Sequence, residues 1–558
     1  MSTEITGPVE FPARINQYGR AESLPERFPV RAGPLTGIVE GGDLRYLRLG
    51  PDMVVLRLYA AVRDRNWNTI EPKFLAYELD RHDDHFTLRF AAEHVSADVD
   101  FEWTGSIVGT ADGVITATID GRARKHFLKN RIGWCVLHPM ELAGVPATTT
   151  TPEGVVEGAF PDLISPHQPF IDMLAIEHET GSGGRVSIQF EGDLFEMEDQ
   201  RNWTDASYKT YSTPLRIPYP VEIKTGDRVA QRVTITAAGD VPSRAEESGP
   251  VRVVVDQFGT MPLPPIGLTL STHGDALAAE DIALLRALQP GHLHVTIDLI
   301  DPGWRQDLAR ASTAASLLGS ALEIELIAGG GGADLEEFAA ALEQTRVPVA
   351  RVLVFSAGSV VTDQAVIESA RQALATTGVS AQIGGGSRAY FTELNRASLP
   401  LADLDVACYT INPQVHAFDN ASLTETLAAQ AETVRSARAI VGERPIAVGP
   451  VTLAPRFNPN ATGPVGSTAA EALPDSVDYR QPSLFAAGWL AGSIGSLALA
   501  GADAVTYFET TGWKGLIERR DHPLRVSAFH SWPGMVFPAY HVLADVSEFR
   551  EGEVLPAA

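Results

Sequence analysis

Two glutamates stand where a carboxylate could take up or release a proton during a reaction. Glu393 lies in SRAYFTELNR, behind Tyr390 and ahead of Asn395 and Arg396. Glu509 lies in YFETTGWKG, with Trp513 close by as an apolar wall for a sugar face. Two carboxylates whose surroundings push their proton affinities apart can serve as acid and base. Between them in the chain, INPQVHAFDN places Asn412, Gln414 and His416 within five residues, with Asp419 just beyond. Amides donate and accept, which suits hydroxyl recognition, and an imidazole moves protons near neutral pH. The candidate acid–base groups are therefore Glu393, Glu509 and His416. The candidate substrate contacts are Asn412, Gln414, Asn395, Arg396, Tyr390 and Trp513. Plainer uses stand beside these: Glu393 pairing with Arg396, Glu509 pairing with Lys514 or Arg456, and a loop tied down by its own Asn and Asp side chains.

A second polar concentration is FEGDLFEMEDQRNWTDASYKTY (190–211), in which acids, amides and Lys209 alternate with aromatics. It is either a loop that brings Asn202 and Trp203 to a sugar or a network between domains. VRDRNWNTIEP (62–72) is a similar string nearer the N-terminus. RIGWCVLHP (131–139) puts Cys135 near His138. A thiol nucleophile would need such a pair, but the alternation places Cys135 on a strand, where a buried cysteine is ordinary. His273, Asp275, Asp298, Asp301, Trp304, His530 and Trp532 are weaker candidates, expected to serve packing or loop hydrogen bonds.

Absences narrow the chemistry. No G-x-S-x-G elbow supports a serine esterase. No glycine-rich phosphate loop supports a nucleotide, so no cofactor is expected. No ligand spacing of the H-E-x-x-H or H-x-H kind is read here, and spacing alone names no metal ligands, since barrel ligands come from separate strands. With 44 Lys and Arg against 70 Asp and Glu, the chain of 558 residues carries a formal charge of −26. That sign repels nucleic acid. Two cysteines make neither a disulfide framework nor a Cys-rich zinc site. The N-terminus lacks the apolar core of a signal peptide, and no run reaches membrane-spanning length. A cytoplasmic protein handling a small molecule is the expectation; no feature sets its oligomeric state.

The elements that must position these groups fall into two textures. Residues 35–240 are built from short alternating runs such as VVLRLYAAV, HFTLRFAAEHV and RVAQRVTITAAG. Period two means half-buried antiparallel strands. From 267 onward, eight apolar runs alternate with helical segments, beginning GLTLS, HLHVTIDL and LEIELIAG and ending AVTYFET. Eight such units match a (β/α)8 barrel. The expected fold is an N-terminal antiparallel β-sandwich (1–258) followed by a C-terminal TIM barrel (262–549) and a tail (550–558). Chemistry in such barrels sits at the C-terminal ends of the strands, which is why Glu393, His416 and Glu509 stand out. The long insert before the eighth run, APRFNPNATGPVGSTAAEALPDSVDYRQP, is expected to cover the pocket. GPVRVVVDQFGTMPLPP (249–265) reads as a last strand and a linker.

The strings RDRNWNTIEP, RIGWCVLHP, FEMEDQRNWTDASYKTY, AYFTELNR, INPQVHAFD and FPAYHVLADVSEF together resemble the D-apionate lactonase family of bacterial sugar-acid catabolism. The resemblance implies hydrolysis of a small sugar lactone, D-apionolactone, to D-apionate during use of the branched sugar apiose. It carries no residue roles, so these rest on barrel position. Glu393 or Glu509 would be the general base, and the other carboxylate or His416 would assist the leaving alkoxide. Asn412, Gln414 and Asn395 would bind hydroxyls or the oxyanion, and Arg396 the product carboxylate. One alternative is a glycoside hydrolase, which also uses paired carboxylates. Its large barrel clan takes them from strands four and seven, whose runs here carry no Glu. The other is a non-catalytic carbohydrate-binding protein, which 8% aromatic residues do not favour.

Overall fold

Strand-forming alternation in the first half produces two nine-stranded antiparallel sheets. The chain is described from a computed structural model over residues 11–239, 241, 252–330, 332–459, 473–520 and 528–557. In the outer sheet, strands such as Val114–Ala123 alternate buried and open residues. Ile115, Ala117 and Ile119 enter the sandwich core while their neighbours meet solvent. The inner sheet departs from that rule. Every residue of Phe195–Asp199 and Ser207–Ser212 is buried, as are the last ten of Phe127–Pro139. The alternation persists there, but both faces are covered. Phe195, Met197 and Tyr208 join the sandwich core, and the intervening Glu196, Glu198 and Lys209 lie on the face turned to the second domain.

The eight expected barrel strands are β1 (Ile266–Thr269), β2 (His292–Asp298), β3 (Ala321–Ala328), β4 (Val349–Ser356), β5 (Gln382–Gly386), β6 (Ala407–Ile411), β7 (Ile446–Val451) and β8 (Ala504–Thr511). Each runs parallel to the next, and β1 pairs with β8 to close the ring. The fold class is therefore an antiparallel β-sandwich followed by a TIM barrel. The glycines of β5 answer to close approach: a Cβ on Gly384 or Gly386 would strike the chain at Val406 or Cys408.

The barrel interior is polar as well as apolar. Glu323 on β3 accepts from His294 on β2 at 2.9 Å and pairs with Arg351 on β4 at 2.8 Å. Glu325, two residues on, binds Arg388 at 2.8 Å and Arg456 at 3.1 Å. Contrary to the expected absence of such a spacing, His292 and His294 form an H-x-H pair on β2. Both are engaged inside the barrel, His292 with Thr506 at 2.7 Å.

One expectation about elements is corrected. Residues 249–251 of the supposed last sandwich strand lie outside the described residues. Val253, Val254 and Val255 are exposed, and only Val255 makes a bridge, to Ala557. Trp304 serves packing, as expected: it begins helix Trp304–Leu318 and lies in the barrel core, 6.1 Å from Phe338.

The two domains meet along helix Asn420–Val441 and the barrel mouth. Asp419 caps that helix through Ser422 N at 3.0 Å and pairs with Arg45 of the sandwich at 2.8 Å. Asp162 of the sandwich pairs with Arg435 at 3.0 Å.

Candidate active site

Strand parity decides which sandwich residues look toward the barrel. Arg63, Cys135, Glu198, Lys209 and Tyr211 occupy the inner sheet's outward face and line a cavity of about 1270 Å³. The barrel supplies the opposite wall from loops after β5 (Tyr390, Arg396), β6 (Gln414–Phe418) and β7 (Ala454–Asn458 and Leu473–Arg480). These last two stretches flank the long insert, so its described parts do line the pocket; residues 460–472 lie outside the described residues. Among the described residues, seven lysines and arginines line the cavity against three acids. A chain of net charge −26 has thus concentrated positive charge on one concave surface.

The two walls meet at Asp205 and His416. Asp205 follows a 3-10 turn, Gln200–Trp203, closed by Thr204 at a φ of 65°. Thr204 Oγ1 donates to the backbone oxygen of Asn412 at 3.1 Å, which holds the turn against the loop after β6. Asp205 Oδ2 then lies 2.6 Å from His416 Nδ1. Trp203 sets its ring edge-on to the imidazole, with centroids 5.2 Å apart. His416 Nε2 makes no hydrogen bond among the described residues, and the ring lines the cavity.

Burial pushes the Asp205 carboxyl up to about 7, despite Lys209 and Arg63. Burial together with the charges of Lys209 and Arg63 holds His416 well below the usual histidine range. The imidazole is therefore neutral, and the proton that titrates near neutrality belongs to the pair. Once it is lost, the carboxylate accepts Nδ1–H, and Nε2 keeps a lone pair facing the cavity.

Glu198 and Lys209 face each other across paired strands, 2.9 Å apart. Burial alone would raise the Glu198 carboxyl. The neighbouring cations, Lys209 foremost, outweigh it and hold the group below the usual range. Tyr211 donates to Glu196 at 2.6 Å beside them.

The structure brings His416, Gln414, Tyr390, Arg396 and Trp203 of the expected residues onto the cavity wall. Gln414 is held fast there: its amide donates to Leu453 O at 2.6 Å and to Asp478, and accepts from Arg480 at 2.9 Å. Tyr390 Oη donates to Phe457 O at 3.3 Å. Arg396 donates to Pro166 O at 2.7 Å and lies over Trp203. Asn412, Asn395 and Asn202 lie behind the wall. Asn412 Oδ1 accepts from Gln414 N at 3.2 Å. Asn395 donates to Ile164 O and to Asn202 Oδ1, each at 3.0 Å, and Asn202 donates to Ser165 O at 2.6 Å.

Glu393, Glu509 and Trp513 are not on the cavity wall. Glu393 Oε2 accepts from Tyr390 N at 2.8 Å in the first turn of helix Phe391–Arg396, and burial pushes its carboxyl up to about 7. Glu509 accepts from Thr272 N at 3.1 Å and Thr272 Oγ1 at 2.8 Å, and pairs with Lys514 at 2.7 Å. Trp513 stacks on Phe529 at 5.1 Å. Cys135 and His138 are three apart on one strand and so point to opposite faces, with His138 bound to Thr210 at 2.8 Å.

Barrel position overlooked Asp205, Glu198, Lys209 and Arg63, which come from the sandwich. Their signal was the density of charge in 190–211 and 62–72, where plain strands would alternate with solvent-facing residues. Among the described residues, no group of three or more His, Cys, Asp and Glu side chains is arranged to hold a metal ion. No described helix is long and apolar enough to cross a membrane.

Comparison with known proteins agrees with this two-domain construction. Residues 15–240 match the D-apionate lactonase N-terminal domain, and residues 266–551 match the D-apionate lactonase TIM barrel domain. A D-apionate lactonase of Brucella anthropi is 29% identical over 533 residues, which span 91% of this chain and 86% of that protein. Solved structures are far more distant. A putative aldose 1-epimerase of Escherichia coli covers 38% of this chain and 99% of its own, at 11% identity and a TM-score of 0.27. A Ruminococcus gnavus β-glucuronidase covers 86% of this chain and 68% of its own, at 11% identity and a TM-score of 0.32. Likenesses this weak carry no argument about the site. The two domain matches together span nearly the whole chain, and it belongs to the D-apionate lactonase family.

Proposed function

We propose that the protein opens a sugar lactone by water attack, with D-apionolactone the substrate and D-apionate the product, as the Brucella anthropi relative's name suggests. In this reading the acid–base work considered for Glu393, Glu509 and His416 rests on His416 with Asp205. The observation that carries it is the 2.6 Å contact between Asp205 and His416, whose ring lines the cavity. His416 Nε2 takes a proton from water as the water oxygen bonds to the lactone carbonyl carbon. The carbonyl electrons move to oxygen, and Asp205 steadies the imidazolium. When the tetrahedral intermediate collapses, the bond to the ring oxygen breaks. The imidazolium returns its proton to that alkoxide, leaving a hydroxy acid that ionises. The cationic lining favours each negative charge formed along the way. Trp203 and Tyr390 supply aromatic surface for the apolar face of the sugar.

The test is acid release at constant pH from D-apionolactone, with and without a chelator. Release above the spontaneous rate, unchanged by chelation, is the expected result. No release above background would overturn the reading, and release lost on chelation would replace the dyad with a metal-activated water.

A further inference from the structure

Arg63 ends the long strand Asp52–Asp64 with only 4% of its surface exposed, and it lines the cavity. Its Nη1 donates to Trp67 O at 3.0 Å. Its Nη2 is buried and has no hydrogen-bond partner among the described residues. No carboxylate among the described residues pairs with it, although Lys209 on the same wall and Arg456 and Arg480 on the opposite one each have one. Glu198 and Asp205 feel its charge from beyond ion-pair distance, and burying a guanidinium with no anion in contact costs free energy that a chain with 70 acids could readily have avoided. The loop beyond is held firmly: Asp64 Oδ1 accepts from Asn66 N at 2.8 Å and Asn68 N at 2.9 Å. From it, the side chains of Asn66 and Thr69 also line the cavity, and Asn66 Oδ1 and Thr69 Oγ1 are without partners among the described residues.

We infer that Arg63 is the anion anchor of the cavity: its guanidinium binds the carboxylate of a sugar acid, while Asn66 and Thr69 take adjacent hydroxyls. The inference rests on the lactone-hydrolase reading for one further consequence. A lactone's carbonyl oxygen becomes first the oxyanion and then a carboxylate oxygen, so one guanidinium serves both stages. A planar guanidinium matches a carboxylate in shape and charge. Neutral substrate gains less from it than the charged species that follow, which is the difference that accelerates a reaction.

The test is calorimetric titration of D-apionate and of the corresponding uncharged sugar alcohol into the wild type, Arg63→Met and Arg63→Lys. Lactone kinetics and thermal melting are followed in parallel. Arg63→Met is expected to weaken the sugar acid by about 30-fold while leaving the alcohol within about twofold. It should lower kcat on the lactone more than it raises KM. Its melting temperature should equal or exceed that of the wild type, because an unpaired buried charge is gone. Arg63→Lys should recover part of the acid affinity, since it keeps charge without the fork. Unchanged acid affinity in Arg63→Met, equal losses for acid and alcohol, or a lowered melting temperature would each overturn the inference. Binding is read without turnover. A wild type that holds the acid through Arg63 but opens no lactone therefore refutes the hydrolase reading alone. Full acid affinity in Arg63→Met, with wild-type turnover intact, refutes the anchor alone.

Discussion

Asp205→Asn removes the charge behind His416 with almost no change of shape, and it has two consequences that can be measured separately. The first is catalytic. An amide can donate to Nδ1, which places the ring proton on Nε2, and it carries no charge to steady an imidazolium. General-base assistance is worth about 10²–10⁴-fold, so kcat should fall by that factor above pH 7. In the wild type, kcat/KM should rise with pH through about 7, where the carboxyl loses its proton. The second consequence concerns stability. Burial lifts Asp205 from 3.8 to about 7 on folding. The folded state then holds a proton on this carboxyl that the unfolded state has released, so the carboxyl's own contribution to stability is lost as pH rises from about 4 to 7, while His416, held below its ordinary range, contributes in the opposite direction in wild type and variant alike. At 1.36 kcal/mol per pH unit, that loss is on the order of 4 kcal/mol. The substituted amide does not titrate, so the variant's stability relative to wild type should improve by about that amount between pH 4 and pH 8. The assays are pH-stat turnover and urea unfolding at a series of pH values. A variant that keeps kcat within about threefold of wild type at pH 8 would refute the dyad as the base. A stability difference that stays flat with pH would refute the buried, proton-holding carboxyl.

Two further outcomes follow from groups away from the cavity. Glu393→Gln should keep most of its turnover, because Gln can also accept from Tyr390 N; the cost in urea unfolding should be about 1 kcal/mol or less, and loss of all activity would return Glu393 to the chemistry. Asp419→Ala should cost about 3 kcal/mol, because it leaves Arg45, with a side chain only 3% exposed, without its close partner across the domain junction. Arg45 and Arg57 outweigh burial and hold the Asp419 carboxyl below its ordinary range, so this stabilisation is present at neutral pH and lost on acidification.

The distribution of elements was legible because both periodicities are local properties. HFTLRFAAEHV alternates and became a strand, Phe86–Val95. The eight apolar runs became the eight barrel strands within a residue or two. RVVVDQF is an apolar run too, but Val253, Val254 and Val255 found no sheet to cover them and stay exposed. The candidate site was legible in part. His416, Gln414, Tyr390 and Arg396 follow barrel strands and reached the cavity, as the barrel rule requires. The same rule offered Glu393 and Glu509 equally, because strand position says that a residue is near the mouth and nothing about its partner. Glu393 turned back to its own helix and Glu509 to Thr272 and Lys514. The polar strings 62–72 and 190–211 were conspicuous, but without knowing what covered the inner sheet, they read equally as a binding loop or an interface. They serve as both: Glu198, Trp203 and Lys209 face the cavity, while Arg201 and Asn202 bind within the sandwich and at the junction.

By itself, the sequence determined the two textures, the closed ring of eight strands, the sign of the charge and the family. Each follows from residue type and spacing over a few dozen positions. Only the tertiary structure decided the pairing of Asp205 with His416, 211 residues apart, and the placing of Arg63 on the cavity wall with no described carboxylate in ion-pair contact. Both depend on the inner sheet of one domain closing over the barrel mouth of the other. That contact removes water from both walls, shifts the proton affinities of the groups it buries, and turns polar strand residues that would otherwise face solvent into the lining of a cavity.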